Sequence, residues 1–283
     1  MASMDMLSMS VPNYTYLFKF EEDFAAVERQ QWMQQNWHTS FYYIGVYMVL
    51  IFGGQRYMAT RERFELRNVL ALWNFFLAVF SIVGAMRTVP ELLFVLKNFG
   101  FHHSCCIAGH SYVPNSPVSG LWSYLFTMSK VPELMDTVFI VLRKQPLIFL
   151  HWYHHITVLI FTWFSFSDFI VTGRWFISMN YSVHAMMYSY YAFKALRYRV
   201  PRWISVAITS SQLAQMIVGC LVNLWAYHVK SNGGECEVSV LNIKLSLIMY
   251  FSYFVLFAHF FNKSYLTKKP ARSASTGNMK KIE

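Results

Sequence analysis

From residue 39 onward the chain alternates between long apolar stretches and short polar or basic links. Seven apolar stretches stand out, at 39–53, 69–86, 118–142, 147–166, 174–193, 203–227 and 240–261. A helix needs about 20 mostly apolar residues to cross a bilayer core, and six of the stretches are near that length, the first being shorter. The pattern predicts an all-α integral membrane protein with seven transmembrane helices. Residues 1–33 read as a polar tail, 34–265 as one seven-helix domain, and 266–283 as a disordered tail rich in Lys, Ser and Arg. No internal repeat is visible, and residues 1–28 lack the apolar centre of a cleavable signal peptide.

Composition agrees with that reading. Of 283 residues, 55% are hydrophobic and only 13% charged, against about 25% charged in a typical soluble domain. A net charge of +10 would suit nucleic acid, but its distribution points elsewhere. Sixteen of the twenty-four basic residues follow stretches one, three, five and seven, including Arg61, Arg143, Lys144, Lys194, Arg197 and Lys268. Six follow the even stretches or precede the first. The positive-inside rule then puts the amino terminus in the lumen and the carboxyl terminus in the cytosol. On that topology the sequon at Asn13 faces the side where it is usable. Cys105, Cys106 and Cys236 fall on the luminal side, where one disulfide between their loops is plausible. Lys280 and Lys281, third and fourth from the end, form a cytosolic dilysine retrieval signal for the endoplasmic reticulum.

The chemistry is concentrated in a few polar positions within the apolar stretches. His151-Trp152-Tyr153-His154-His155 puts three of the ten histidines into five residues, on one helix face. Lys130, Glu133 and Asp136 recur at steps of three on the third stretch. Asn180, His184, Tyr188 and Tyr191 share a face of the fifth, and Gln212 and Gln215 a face of the sixth. On the predicted topology all four groups lie in the cytosolic half of the membrane, which suggests one shared pocket. Its mouth would open beside Arg143, Lys144 and Arg197. Such a pocket suits an amphiphile: phosphates at the basic rim, a reactive carbonyl at the histidines, an acyl chain running inward. An imidazole serves as nucleophile or general base there without a metal.

These blocks, in this order and spacing, resemble the signatures of the ELO fatty acid elongases. They are His151 to His155, Lys130 to Asp136, Asn180 to Tyr188, and Gln212 with Gln215. The likeness runs from Trp37 to about Tyr265, and its wording is nearest the branch that elongates palmitoyl-type saturated and monounsaturated chains. It implies six of the seven helices surrounding a narrow acyl-chain tunnel. It also implies condensation of a long-chain acyl-CoA with malonyl-CoA to 3-oxoacyl-CoA, CO2 and CoA, with no cofactor. His154 is then the expected nucleophile, taking the acyl group as an acyl-imidazole. His184 and Asn180 assist decarboxylation or hold the enolate, His151 and His155 orient His154, and Asp136 fixes a ring tautomer. Lys130, Glu133, Tyr188, Tyr191, Gln212, Gln215, Arg143, Lys144 and Arg197 are the expected substrate contacts. The resemblance further implies a Cys106–Cys236 bridge, the reductases and dehydratase of the elongation cycle as partners, and a homodimer.

Two other readings compete. A di-iron desaturase or hydroxylase also carries such histidine boxes but needs about eight histidines; here His102, His103 and His110 fall on the opposite side by topology. A seven-helix receptor or transporter gives no reason for the histidine box.

Overall fold

Proline and serine mark where several helices begin. The computed structural model describes residues 16–267 apart from 110, 111 and 114, so Asn13, Lys280 and Lys281 lie outside the described residues. Eleven α-helices and no strand occur among them. They are α1 Lys19–Glu22, α2 Ala26–Asn36, α3 Ser40–Met48, α4 Gly54–Met58, α5 Arg67–Cys106, α6 Pro117–Ser129, α7 Met135–Leu142, α8 Phe149–Ser167, α9 Gly173–Ala195, α10 Arg202–Ser231 and α11 Val240–Phe261. Ser116 caps α6, accepting from the Ser119 amide at 3.4 Å, with Pro117 in the first turn where a missing N–H costs nothing. Ser239 does the same for α11 at 3.2 Å. Pro132 opens a 3₁₀ turn that divides α6 from α7.

All seven predicted stretches fall on helical segments. The first covers α3 and the π-helical turn Val49–Gly53 that leads into α4, and the third spans α6 and α7. Three helices are long and apolar enough to cross a membrane by length and composition: α5, α10, and α11 with its extension to Leu266. The outer face of α5 exposes Val69, Leu72, Phe75, Phe76 and Met86, as a helix bathed in lipid would. The sequence pattern underestimates α5, which runs on through Pro90 and is interrupted at Gly100, whose φ of 82° needs a residue without Cβ.

The helices are strung between two ends. One end carries the starts of α5, α8 and α10 and the ends of α7 and α9; it is called the basic end, for Arg67, Arg143, Lys194 and Arg202. The other carries a disulfide between Cys106 and Cys236, with Cys105 free and buried beside it. There Arg174 is buried, pairs with Glu91 at 3.2 Å, and donates to the carbonyls of His103, Ser104, Ile107 and Ala108.

The expectation of a polar tail over residues 1–33 needs correction where the structure describes it. Residues 19–22 and 26–36 are helical and docked: Glu21 and Met33 are fully buried. Glu21 accepts from Arg87 and from Trp122 Nε1, and Gln30 and Gln34 donate to the Ser167 carbonyl. The segment reads as polar because its polar groups find their partners on other helices, which periodicity does not register.

Candidate active site

Seven residues of the opening of α8 decide the site. Ile148 is extended, and the helix that follows lifts His151, His154 and His155 from its first two turns into the bundle. His151 Nε2 lies 2.9 Å from the Thr137 hydroxyl, which in turn lies 2.8 Å from the Tyr47 hydroxyl. The His154 ring sits 5.0 Å from the Tyr253 ring, and the Tyr253 hydroxyl donates to the His154 carbonyl at 3.3 Å. Thr157 bonds the same phenol, so α11 clamps the second turn of α8. His155 packs against both neighbours, with ring centroids 4.6 Å from His151 and 5.5 Å from His154. It is buried, and its Nδ1 has no hydrogen-bond partner.

His184 comes from α9, facing this group. A polar chain reaches it from α6: Lys130 donates to Glu133 at 2.9 and 3.1 Å, Ser129 donates to Glu133 at 2.7 Å, and Lys130 reaches Asn180 at 3.4 Å. An ammonium only donates, so the Asn180 atom facing Lys130 is its oxygen, and its NH2 is the group 3.3 Å from His184 Nε2. An NH2 also only donates. His184 Nε2 therefore accepts, and its ring proton resides on Nδ1.

Both histidine groups border one cavity of about 640 Å³. It is lined by Asp136, His151, His154, His155, Asn180, His184, Tyr188, Tyr191, Gln212 and Gln215, with Arg143 and Lys194 toward the basic end. Phe139, Ile140, Met187, Met216, Phe257 and Phe260 supply apolar wall. Tyr265, in the π turn after α11, closes one side, its hydroxyl donating to the Ser205 carbonyl at 3.2 Å. Among the described residues no three His, Cys, Asp or Glu are placed to share a metal ion.

A family model described as the GNS1/SUR4 family, ELO, matches residues 32–273. The chain belongs to the ELO family. The protein named very long chain fatty acid elongase 6 of Drosophila melanogaster is 56% identical over 266 residues, covering 92% of this chain and 84% of that protein. Proteins of the same name from Gallus gallus and Homo sapiens are 50% and 49% identical, each covering 89% of this chain and 93% of the relative.

Set in this ELO protein, the residues singled out from sequence divide into two sets. Lys130 and Glu133 do not touch the cavity; they are buried behind Asn180 and pair with each other, with Lys130 over the Phe126 ring at 4.2 Å. Lys144 donates to the Ala59 and Arg61 carbonyls and ties α4 to α7, and Arg197 lies in an exposed turn; neither lines the cavity. Asp136 lines it, but its oxygens accept from Trp73 at 2.6 Å and Tyr188 at 2.8 Å. The expectation that Asp136 fixes a histidine tautomer is thus replaced: the group touching His151 is Thr137, one residue further on, because the helix turns Asp136 toward α5 and α9. Tyr47, Trp73, Thr137 and Tyr253 were missed, whereas Lys194, read as part of the basic rim, does line the cavity. Thr137 adjoins the Lys130–Asp136 block and was within reach of a closer reading. Tyr47 and Tyr253 sit in apolar runs where a phenol is indistinguishable from aromatic filler.

Proposed function

We propose that this protein condenses a long-chain acyl-CoA with malonyl-CoA, giving 3-oxoacyl-CoA, CO2 and CoA, in the membrane of the endoplasmic reticulum. The observation that carries the reading is that His154 of α8 and His184 of α9 border one cavity whose far wall is apolar and whose basic end carries Arg143 and Lys194. Family membership and relatives named fatty acid elongases support the same reaction.

In this reading the pantetheine and nucleotide lie toward Arg143 and Lys194, and the acyl chain runs inward. His154 attacks the thioester carbonyl; the carbon–sulfur bond breaks, CoA leaves as the thiol, and an acyl-imidazole remains. Malonyl-CoA then loses CO2, and its enolate carbon attacks the acyl carbon; the new carbon–carbon bond forms as the acyl–nitrogen bond breaks, and a proton taken up from water restores neutral His154. His184, with its proton on Nδ1 and Nε2 held by Asn180, is oriented to donate to developing negative charge. Lys130 and Glu133 act from behind by fixing Asn180, which makes them positioning residues. The substrates are palmitoyl-type saturated and monounsaturated chains. Seven spanning helices, six of them around the chain, a luminal amino terminus and a cytosolic dilysine signal complete the picture. The reductases and dehydratase of the cycle, and a second copy of the chain, are the partners.

Purified protein supplied with labelled malonyl-CoA and a ladder of acyl-CoAs tests the reading. Labelled 3-oxoacyl product is expected, together with an acyl adduct on His154 by peptide mass spectrometry when malonyl-CoA is withheld. Acyl-CoA that is never extended by purified, folded protein would overturn it.

A further inference from the structure

The site histidines are held in different ways. The Thr137 hydroxyl meets the ring of His151, and the Asn180 amide meets the ring of His184. Among the described residues, the side chains that bond His154 reach its backbone carbonyl and not its ring. The torsion that swings an imidazole about its Cβ–Cγ bond is broad, so a ring without a hydrogen-bonded partner keeps one direction only where packing fixes it.

Tyr253 of α11 supplies that packing. Its ring centroid lies 5.0 Å from that of His154, with the two planes tilted by 49°. A second neighbour, His155, meets the His154 ring at 5.5 Å and nearly edge-on. Aromatic pairs at such separations have preferred geometries beyond the area they bury.

The phenol is itself anchored on α8. Thr157 gives its proton to the Tyr153 carbonyl at 2.7 Å, so the Tyr253 hydroxyl is the donor in its bond to Thr157. The same hydroxyl reaches the His154 carbonyl at 3.3 Å. Beside it, Tyr153 donates to Ser252 at 3.0 Å and sets its own ring at 90° to that of Tyr253. These contacts join residues 153–157 of α8 to residues 252–253 of α11, and so converge on the turn that carries His154. Tyr253 is buried and does not line the cavity, so what it does to a substrate passes through His154.

Direction matters to the first step of the proposed reaction. A lone pair of the His154 ring bonds to the thioester carbon, the carbon–sulfur bond breaks, and the ring N–H proton goes to the departing thiolate. The nitrogen must lie about 3–3.5 Å from that carbon with its lone pair aligned, and a misplacement of about 1 Å costs roughly a hundredfold.

We propose that Tyr253 is the positioning residue of the nucleophile. Its ring, anchored through its hydroxyl to α8, holds the His154 imidazole in the direction of attack. This rests on the reading of His154 as the group that accepts the acyl chain.

The test uses full-length protein with palmitoyl-CoA. It measures the burst of CoA thiol released without malonyl-CoA, steady-state condensation, and melting temperature with and without palmitoyl-CoA. Tyr253→Leu and Tyr253→Met remove the ring. Each is expected to lower the burst rate and kcat per folded molecule by about tenfold to a hundredfold. KM for palmitoyl-CoA should stay within about twofold of wild type, as for loss of an interaction made only in the transition state. Tyr253→Phe keeps the ring and removes the anchor, so it should recover most of the lost rate. Ser252→Ala removes the neighbouring bond alone; it should lower the melting temperature and leave both rates per folded molecule unchanged. A role in stability alone predicts instead that rates follow the folded fraction in every variant. Folded Tyr253→Leu or Tyr253→Met protein with a wild-type burst, a loss seen only in KM, or Tyr253→Phe protein as slow as Tyr253→Leu would overturn the proposal. Wild-type condensation without a burst or a His154 adduct would count against the acyl-imidazole, and the order of the variants in steady-state condensation would still decide the role of Tyr253.

Discussion

At the disulfide end, Arg174 is buried, and its two terminal nitrogens reach Glu91 and four backbone carbonyls. Glu21 is buried there too, with Arg87, Trp122 and the Phe18 amide donating to it. Toward the basic end, His154, His155 and His184 border an open cavity, and His155 keeps a buried nitrogen with no partner. Both regions place polar groups where water is scarce, which costs free energy unless they are bonded. One spends its carboxylates and terminal guanidinium nitrogens on the fold, with only Arg174 Nε left unpartnered, and the other turns its histidines to a cavity. Even within the site the division holds, since Lys130, Glu133 and Ser129 are satisfied among themselves while the histidines they support face space.

The contrast breaks if loss of activity and loss of stability go together at both ends. His154→Ala should lower condensation by about a thousandfold or more, as loss of a nucleophile does, with little change in melting temperature in detergent. A matching collapse of the melting transition would erase the distinction. Arg174→Met should do the reverse. It deprives Glu91 and four carbonyls of a donor, at about 3–5 kcal/mol of stability, while the fraction that remains folded condenses at near the wild-type rate. Denaturation coupled to rate measurement on the same samples separates the two.

Smaller effects sharpen the boundary. Tyr47→Phe removes one hydrogen bond and Thr137→Val two, each worth about 1 kcal/mol. Because Thr137 bridges Tyr47 and His151, the double variant should fall short of the sum of the singles in both turnover and stability. Strict additivity would mean that the Tyr47–Thr137–His151 relay is not a unit. The smallest effect expected is at Glu21. Burial alone raises its pKa, but hydrogen bonds from Arg87, Trp122 and Phe18 outweigh burial and hold it below the ordinary glutamate value. The unfolded chain therefore takes up this proton first. The stabilisation is present above about pH 4.3 and is lost as pH falls through the folded value. Glu21→Gln should flatten that part of the melting-temperature profile, and an unchanged acid limb would assign it to other carboxylates.

How much of this was legible depended on what kind of signal each residue leaves. The helices were legible as apolar length, since seven stretches fall on helical segments. The histidines, Asn180 and Gln215 were legible because a polar side chain inside an apolar run is conspicuous. Arg143 was legible as a basic residue at a helix end, but Lys144 and Arg197 looked the same and point elsewhere, since neighbouring residues in a turn diverge in direction. Docking of α1 and α2 was not legible, because the partners of Glu21 lie 66 and 101 residues away.

Sequence alone determined that the chain is helical, that its chemistry gathers on the faces of four helices, and which family it joins. Tertiary structure decided which of those side chains meet. It turned Thr137 rather than Asp136 toward His151, drew Lys130 behind Asn180, and set the Tyr250 ring on Gly219. The reason is geometric. Apolar burial is non-directional and is recorded in composition and period, whereas a hydrogen bond or a ring against a glycine depends on angles and distances of a few ångströms between segments far apart in the chain.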